Sequence, residues 1–141
     1  MFKSLLVAVD INDADGTARC AAAAVNMARS EGAALHVLNV IPDSGMAIVG
    51  AMLEADHFEK MSQTAQTALE DWAKGSIPAE VDATLHVARG TVYDQIVKTA
   101  NDLGVDAIFV GAHRPELKDY LMGPNAARVA RHAKQSVFVI R

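Results

Sequence analysis

Residues Asp106–Arg141, DAIFVGAHRPELKDYLMGPNAARVARHAKQSVFVIR, decide the reading of this chain. Ala107–Val110 is a short apolar run that ends at Gly111, the signature of a strand covered on both faces. A loop follows. Gly123-Pro124-Asn125 then opens an alanine-rich helix to about Ala133, since proline's fixed φ suits a first helical turn. Ser136–Ile140 is a second apolar strand. A strand that feeds a glycine-punctuated loop and then a helix N-terminus suits an anion. Free N–H groups and the positive end of the helix dipole converge there. Pro124 lacks one of those N–H groups, and Asn125, Ala126 and Ala127 keep theirs.

Upstream the same alternation repeats. Ser4–Val9 (SLLVAV) reads as a buried strand. Asn12 and Asp13 are cap candidates for a helix over about Asp15–Ser30, with Ala18, Ala22, Val25 and Ala28 inward and Glu31-Gly32 ending it. Leu35–Ile41 is a second strand stopped by Pro42, and Asp43–Gly50 is a loop. A long helix is predicted from about Ala51 to Lys74, with Phe58, Met61, Ala65, Leu69 and Trp72 on one face and Gly75 as its cap. Val81–Val87 is a third strand. Gly90-Thr91 starts a helix to about Leu103, with Val92, Ile96, Ala100 and Leu103 inward.

Strands separated by helices require right-handed crossovers, hence an α/β fold with a parallel sheet. A flavodoxin/Rossmann-like order of 3-2-1-4-5, helices on both faces, is expected for five strands in one domain over residues 1–141. Its switch point lies between strands one and four, and ligands bind at the carboxyl ends there. Val9, Asp10 and Ile11 flank that crevice on one side, and Gly111, Ala112 and His113 on the other. The fold and the loop therefore point to one place.

Composition narrows the class. Hydrophobic residues make up 51% and charged residues 21%, as in an ordinary globular protein. No apolar run reaches the length of a membrane span, and no secretory leader is evident, so no membrane partner is expected. Cys20 is the only cysteine, which excludes an internal disulfide and fits a cytoplasmic location. The formal charge of −4 disfavours nonspecific nucleic-acid binding.

The candidate site residues each carry two readings. Gly111 and Gly123 admit close approach of backbone to a ligand, or simply end a strand and precede a helix. Asp10 can accept from a ribose hydroxyl or an adenine amine, or serve as a turn residue. Arg114 can pair with phosphate oxygens or stand solvated in the loop. Arg128 and Arg131 share a helix face, read as solvated. The histidines His36, His57, His86, His113 and His132 show no zinc-type spacing. His36 and His86 read as sheet-face residues, and His113 as a ligand neighbour. Cys20 reads as a small packing residue.

LLVAVD, HVLNVIP, ARGTVYDQI and the stretch from Val110 to Arg141 together resemble the universal stress protein family, over essentially the whole chain. The loop is similar to that of a bacterial, single-domain, ATP-binding-type branch that carries His-Arg-Pro there. The resemblance implies a stress-response homodimer of flavodoxin-like subunits, many of which bind ATP. It matches Gly111 and Gly123 to the first and third glycines of the nucleotide loop, and Asp10 to the strand-one aspartate. Arg114 stands at the second glycine, with eight residues instead of nine before Gly123. Pro124 stands where the family has a hydroxyl, followed by Asn125 and Ala126. Ala8, Val9, Val40 and Val110 fall where adenine-pocket walls lie. ADP or AMP could stand in for ATP, with Mg2+ as a companion ion.

No nucleophile elbow, lysine-bearing phosphate loop or aspartate pair at a strand end marks an enzyme. Asp13 and Asp15 read as helix N-terminal charges. The expectation is a nucleotide-binding sensor or regulator, not an enzyme, with slow ATP hydrolysis as its only turnover. A nucleotide-free dimeric interaction protein is the alternative. The apolar strand Ser136–Ile140 would lie at a sheet edge, where an unpaired strand invites a second copy, and both its faces are expected to be covered.

Overall fold

A computed structural model describes residues 1–42, 55–112 and 125–141. Its elements run β1 (Ser4–Val9), α1 (Ala14–Glu31), β2 (Ala34–Pro42), α2 (Ala55–Ser76), β3 (Ala83–Gly90), α3 (Val92–Leu103), β4 (Ala107–Gly111), α4 (Asn125–His132) and β5 (Ser136–Ile140). The five strands form one sheet in the order β3-β2-β1-β4-β5, all paired in parallel. That is the expected α/β flavodoxin-like order, and it puts the switch point between β1 and β4.

The strands carry apolar side chains on both faces, so the sheet has two cores. Leu5, Val7, Val9, Leu35, Val37 and Phe109 pack with Cys20, Ala24, Val25 and Ala28 of α1 and Leu69 of α2. Leu6, Leu38, Ile108 and Val110 pack with Ile96 and Ala100 of α3 and Ala126 and Val129 of α4. Phe109 stacks on Phe138 of β5 at 4.7 Å between ring centroids, which ties the edge strand to the first core.

Local chemistry sets the element ends. Asp13 caps α1 by accepting from the Gly16 N–H at 3.2 Å. Gly32 and Gly104 close α1 and α3 with positive φ, where a Cβ would be strained. Asp106 accepts from the Lys3 and Ser4 N–H groups, at 2.7 and 3.0 Å, and so locks β4 beside β1. Those two bonds hold its carboxyl below the usual range.

Several expectations need correction. Ala18 and Ala22 are exposed, and the buried stripe of α1 is Thr17, Cys20, Ala21, Ala24, Val25 and Ala28. In so alanine-rich a helix, hydrophobicity does not distinguish the faces. Gly75 caps nothing, because α2 continues through it to Ser76. Pro42 is the last residue of β2, not a stop before it. The third strand runs Ala83–Gly90 instead of Val81–Val87, because Val81 is buried through a turn onto the Pro78 carbonyl. Gly90 ends β3, and the helix begins after Thr91. Val139 is 44% exposed, so β5 is not covered on both faces. The expected Asp43–Gly50 loop and the first turn of the long helix lie outside the described residues.

Candidate functional site

The crevice begins where β1 ends. Thr17, 4% exposed, reaches from α1 to the backbone of Asp10. Its Oγ1 donates to the Asp10 carbonyl at 2.6 Å and accepts from the Asp10 N–H at 3.0 Å. The Asp13 N–H also donates to the Asp10 carbonyl, at 3.0 Å. Asp10 Oδ1 accepts from the Asn12 N–H at 3.0 Å. The backbone of Asp10 is thus fixed on three sides, while among the described residues its exposed carboxylate keeps Oδ2 for a partner. The Asp13 carboxylate is engaged as the α1 cap and does not compete for that role. Sequence reading passed over Thr17, although a hydroxyl seven residues after a strand-end aspartate is a visible signal for such a clasp.

Gly111 faces this end from β4. It is exposed, among the described residues nothing lies within 4 Å of where its Cβ would stand, and its neighbour Ala112 donates to the Ile140 carbonyl at 2.7 Å. Ala8, Val40 and Val110 share the α3/α4 face with Ala126, the second residue of α4. Asn125 is half-buried at the start of that helix. Val9 is not part of this group. Its side chain belongs to the opposite core under α1, one step out of phase with Ala8. His113, Arg114, Gly123 and Pro124 lie outside the described residues.

Side-chain size falls at the carboxyl-terminal step of β1 to β4 on this face. Leu6 is followed by Ala8, Leu38 by Val40, His86 by Ala88 and Ile108 by Val110. The amino-terminal half of the face is filled by large residues, whereas its carboxyl-terminal half is floored by small ones. The result is an apolar floor at the switch point, flanked by Asp10 and by the start of α4, a helix N-terminus. An apolar floor with a few convergent polar groups suits a flat, hydrogen-bonding small molecule. Among the described residues no three metal-ligating side chains converge, so a cation here would lean on its anionic ligand.

Tyr93, near the start of α3, adds an aromatic flank. Its ring stacks on His132 at 5.6 Å, and the Arg128 guanidinium lies 5.4 Å from its centroid. This clasp fastens α4 to α3 and holds Arg128 in place on α4. At the end of β3, Arg89 lies over the Phe58 ring at 4.0 Å and ties α2 to the sheet. No described helix is long and apolar enough to cross a membrane.

Comparison with known proteins agrees with this architecture. A family model described as the Universal stress protein family matches residues 1–141. Universal stress protein G of Shigella flexneri is 27% identical over 143 residues, covering all of both chains. The structure of universal stress protein UspA from Lactobacillus plantarum superposes with a TM-score of 0.76 at 23% identity, over 99% of this chain and 97% of that one. A universal stress protein from Archaeoglobus fulgidus, solved in complex with dAMP, gives 0.64 at 20% identity, over 99% and 98%.

Proposed function

The chain belongs to the universal stress protein family, and from that premise we propose that it binds an adenine nucleotide at the β1/β4 switch point. The observation that carries the proposal is the small-residue floor of Ala8, Val40, Ala88 and Val110 beside a backbone-clamped Asp10. Adenine is flat and apolar on its faces, so it lies against the floor. Its ribose hydroxyls donate to the free oxygen of Asp10. The phosphates extend towards Gly111, where no Cβ obstructs them, and towards the N–H groups that open α4. The dAMP complex of the Archaeoglobus fulgidus neighbour, a chain of the same fold, supports this ligand class.

ATP is the nucleotide the family resemblance favours, with ADP or AMP as shorter occupants. Arg114 and Pro124 replace a glycine and a hydroxyl in the family's loop pattern. They weigh on the phosphate end more than on the adenosine end. Mg2+ would be held by the phosphates, with Asp10 as the nearest carboxylate. We read the protein as a nucleotide-gated regulator that works as a homodimer through Ser136–Ile140 in the cytoplasm. Asp10 is half engaged by Asn12, and among the described residues no second base stands beside it, so hydrolysis at this site is slow at most.

The test is direct. Freshly purified protein is heat-denatured, the supernatant is resolved by anion exchange, and the empty protein is titrated with ATP, ADP and AMP by calorimetry. Ala8→Leu fills the floor without touching a polar group and abolishes binding. Asp10→Ala weakens all three nucleotides alike. A parent that releases no nucleotide and binds none when titrated would refute the proposal and leave the nucleotide-free dimeric interaction protein.

A further inference from the structure

His36 on β2 and His86 on β3 stand fifty residues apart in sequence and in contact in the fold. Register pairs His36 with Thr84 and Leu38 with His86, so the two histidines are diagonal neighbours on one face of the sheet. His36 Nδ1 lies 2.9 Å from His86 Nε2, with ring centroids 5.1 Å apart and planes tilted by 38°. Both are half-buried, and neither belongs to the crevice floor, which lies farther along the strands. Nothing in the proposed nucleotide site uses them.

We propose that this pair is a two-histidine chelate for a divalent first-row transition ion, with Cu2+ or Ni2+ as the best fit. Two imidazole nitrogens bound at about 2.0–2.1 Å and at right angles lie about 2.9 Å apart, whereas tetrahedral angles set them about 3.3–3.4 Å apart. The observed 2.9 Å is a hydrogen-bond length, which brings the two nitrogens within either bite. Cu2+ and Ni2+ are favoured over Zn2+ because two cis imidazoles completed by water suit their square-planar or tetragonal nitrogen and oxygen coordination, and Cu2+ binds such donors most tightly. The two lone pairs now face each other along a hydrogen bond. A modest rotation of both rings turns them to a common point. The ring that donates in the present bond moves its proton to its other nitrogen, so both bind as neutral ligands. His36 then binds through Nδ1 with a proton on Nε2, and His86 through Nε2 with a proton on Nδ1.

The surroundings support this chemistry. Burial, and for His86 the neighbouring His36, keeps both rings neutral below the usual histidine range, so the lone pairs are available near neutral pH. Asp82, just before β3, contributes negative charge beside His36 that partly opposes the effect of burial there and would favour a bound cation. Among the described residues no third protein ligand converges, so water completes the coordination sphere.

The test uses the full chain, stripped of metal and titrated with Cu2+ and Ni2+ at neutral pH. The expected result is one saturable site, with a Cu2+ electron paramagnetic resonance spectrum showing two equatorial imidazole nitrogens. His36→Asn and His86→Asn each weaken binding by at least about tenfold, the scale of losing a supporting group at a metal site, whereas His57→Asn does not. Should either variant unfold, the parent still decides the matter. Substoichiometric Cu2+ broadens the ring resonances of His36 and His86 before those of any other histidine. Unchanged affinity in both variants, broadening confined to other histidines, or no saturable binding by the parent would each overturn the proposal.

Discussion

Replacing Thr17 by valine removes one oxygen atom and keeps the shape of the side chain. In the parent that oxygen both donates to and accepts from the backbone of Asp10, at 2.6 and 3.0 Å, in a side chain only 4% exposed. In Thr17→Val the Asp10 carbonyl keeps the Asp13 N–H at 3.0 Å, but the Asp10 N–H loses its partner. Leaving such a donor unpaired costs about 1–3 kcal/mol. For 141 residues the unfolding entropy is roughly 0.3 kcal/mol/K, so Tm should fall by about 3–10 °C. Thr17→Ser keeps the hydroxyl and loses one buried methyl, about 0.8 kcal/mol, so its Tm should fall by roughly 3 °C. Thermal unfolding followed by circular dichroism, at one protein concentration, measures both. Native-state hydrogen exchange adds a local readout, because the Asp10 amide should lose protection in the valine variant alone. A valine variant no less stable than the serine variant, with its Asp10 amide still protected, would refute the clasp. Nucleotide affinity should drop with the valine variant as well, since the clasp holds the Asp10 backbone at the crevice.

Three further outcomes follow from the same coordinates. Burial pushes the Cys20 thiol up to about 12, so a thiol-specific reagent should leave it unmodified in native protein and label it once urea unfolds the chain. Val139→Lys sets a charge on the 44%-exposed position of the free edge strand, and sedimentation should show a dimer-to-monomer shift without loss of helix signal. His36 and His86 have folded-state values below the ordinary 6.5, so the unfolded chain takes up protons first as pH falls. Their contribution is therefore fully present above pH 6.5 and is lost below it. Urea midpoints at pH 7.5 and 5.5 should differ less in a His36→Asn/His86→Asn double variant than in the parent.

All five strands were legible in the sequence because buried parallel strands are short, β-branched runs that glycines and prolines delimit; their order was not, and 3-2-1-4-5 was expected only as the commonest arrangement of five such strands. SLLVAV and AIFV have nothing else to be. The slips came where that contrast fades. β3 is an edge strand, so none of its residues is fully buried, and Val81 in the preceding turn outcompetes Arg89 and Gly90 as a strand candidate. In α1, six of the first eleven residues are alanine, and the buried stripe is set by Thr17 and Cys20, which a hydrophobic pattern undervalues. Of the candidate site, Asp10 and Gly111 were legible from their positions at strand ends. Val9 was assigned to the adenine wall with Ala8 although adjacent residues of a strand face opposite ways. The His36–His86 contact was out of reach, because it depends on the β2–β3 register and no local pattern encodes a register between strands fifty residues apart.

The two faces of the sheet divide the work, and side-chain size is the means. On the α1/α2 face β1 keeps branched side chains to its carboxyl end. Leu5, Val7 and Val9 line β1, and Phe109 stacks on Phe138 near the end of β4, so that core is closed. On the α3/α4 face the last inward step of β1 to β4 loses volume, from Leu6 to Ala8 and from His86 to Ala88 most of all. Small side chains at such positions offer fewer close-packed contacts and so contribute less stability than larger ones would. A sequence under selection for stability alone would fill Ala8 and Ala88. The alternation of faces along each strand lets one short segment satisfy both demands. Leu5, Leu6, Val7 and Val9 of β1 hold the fold, and Ala8, between Val7 and Val9, is the position at which the proposed flat ligand would lie.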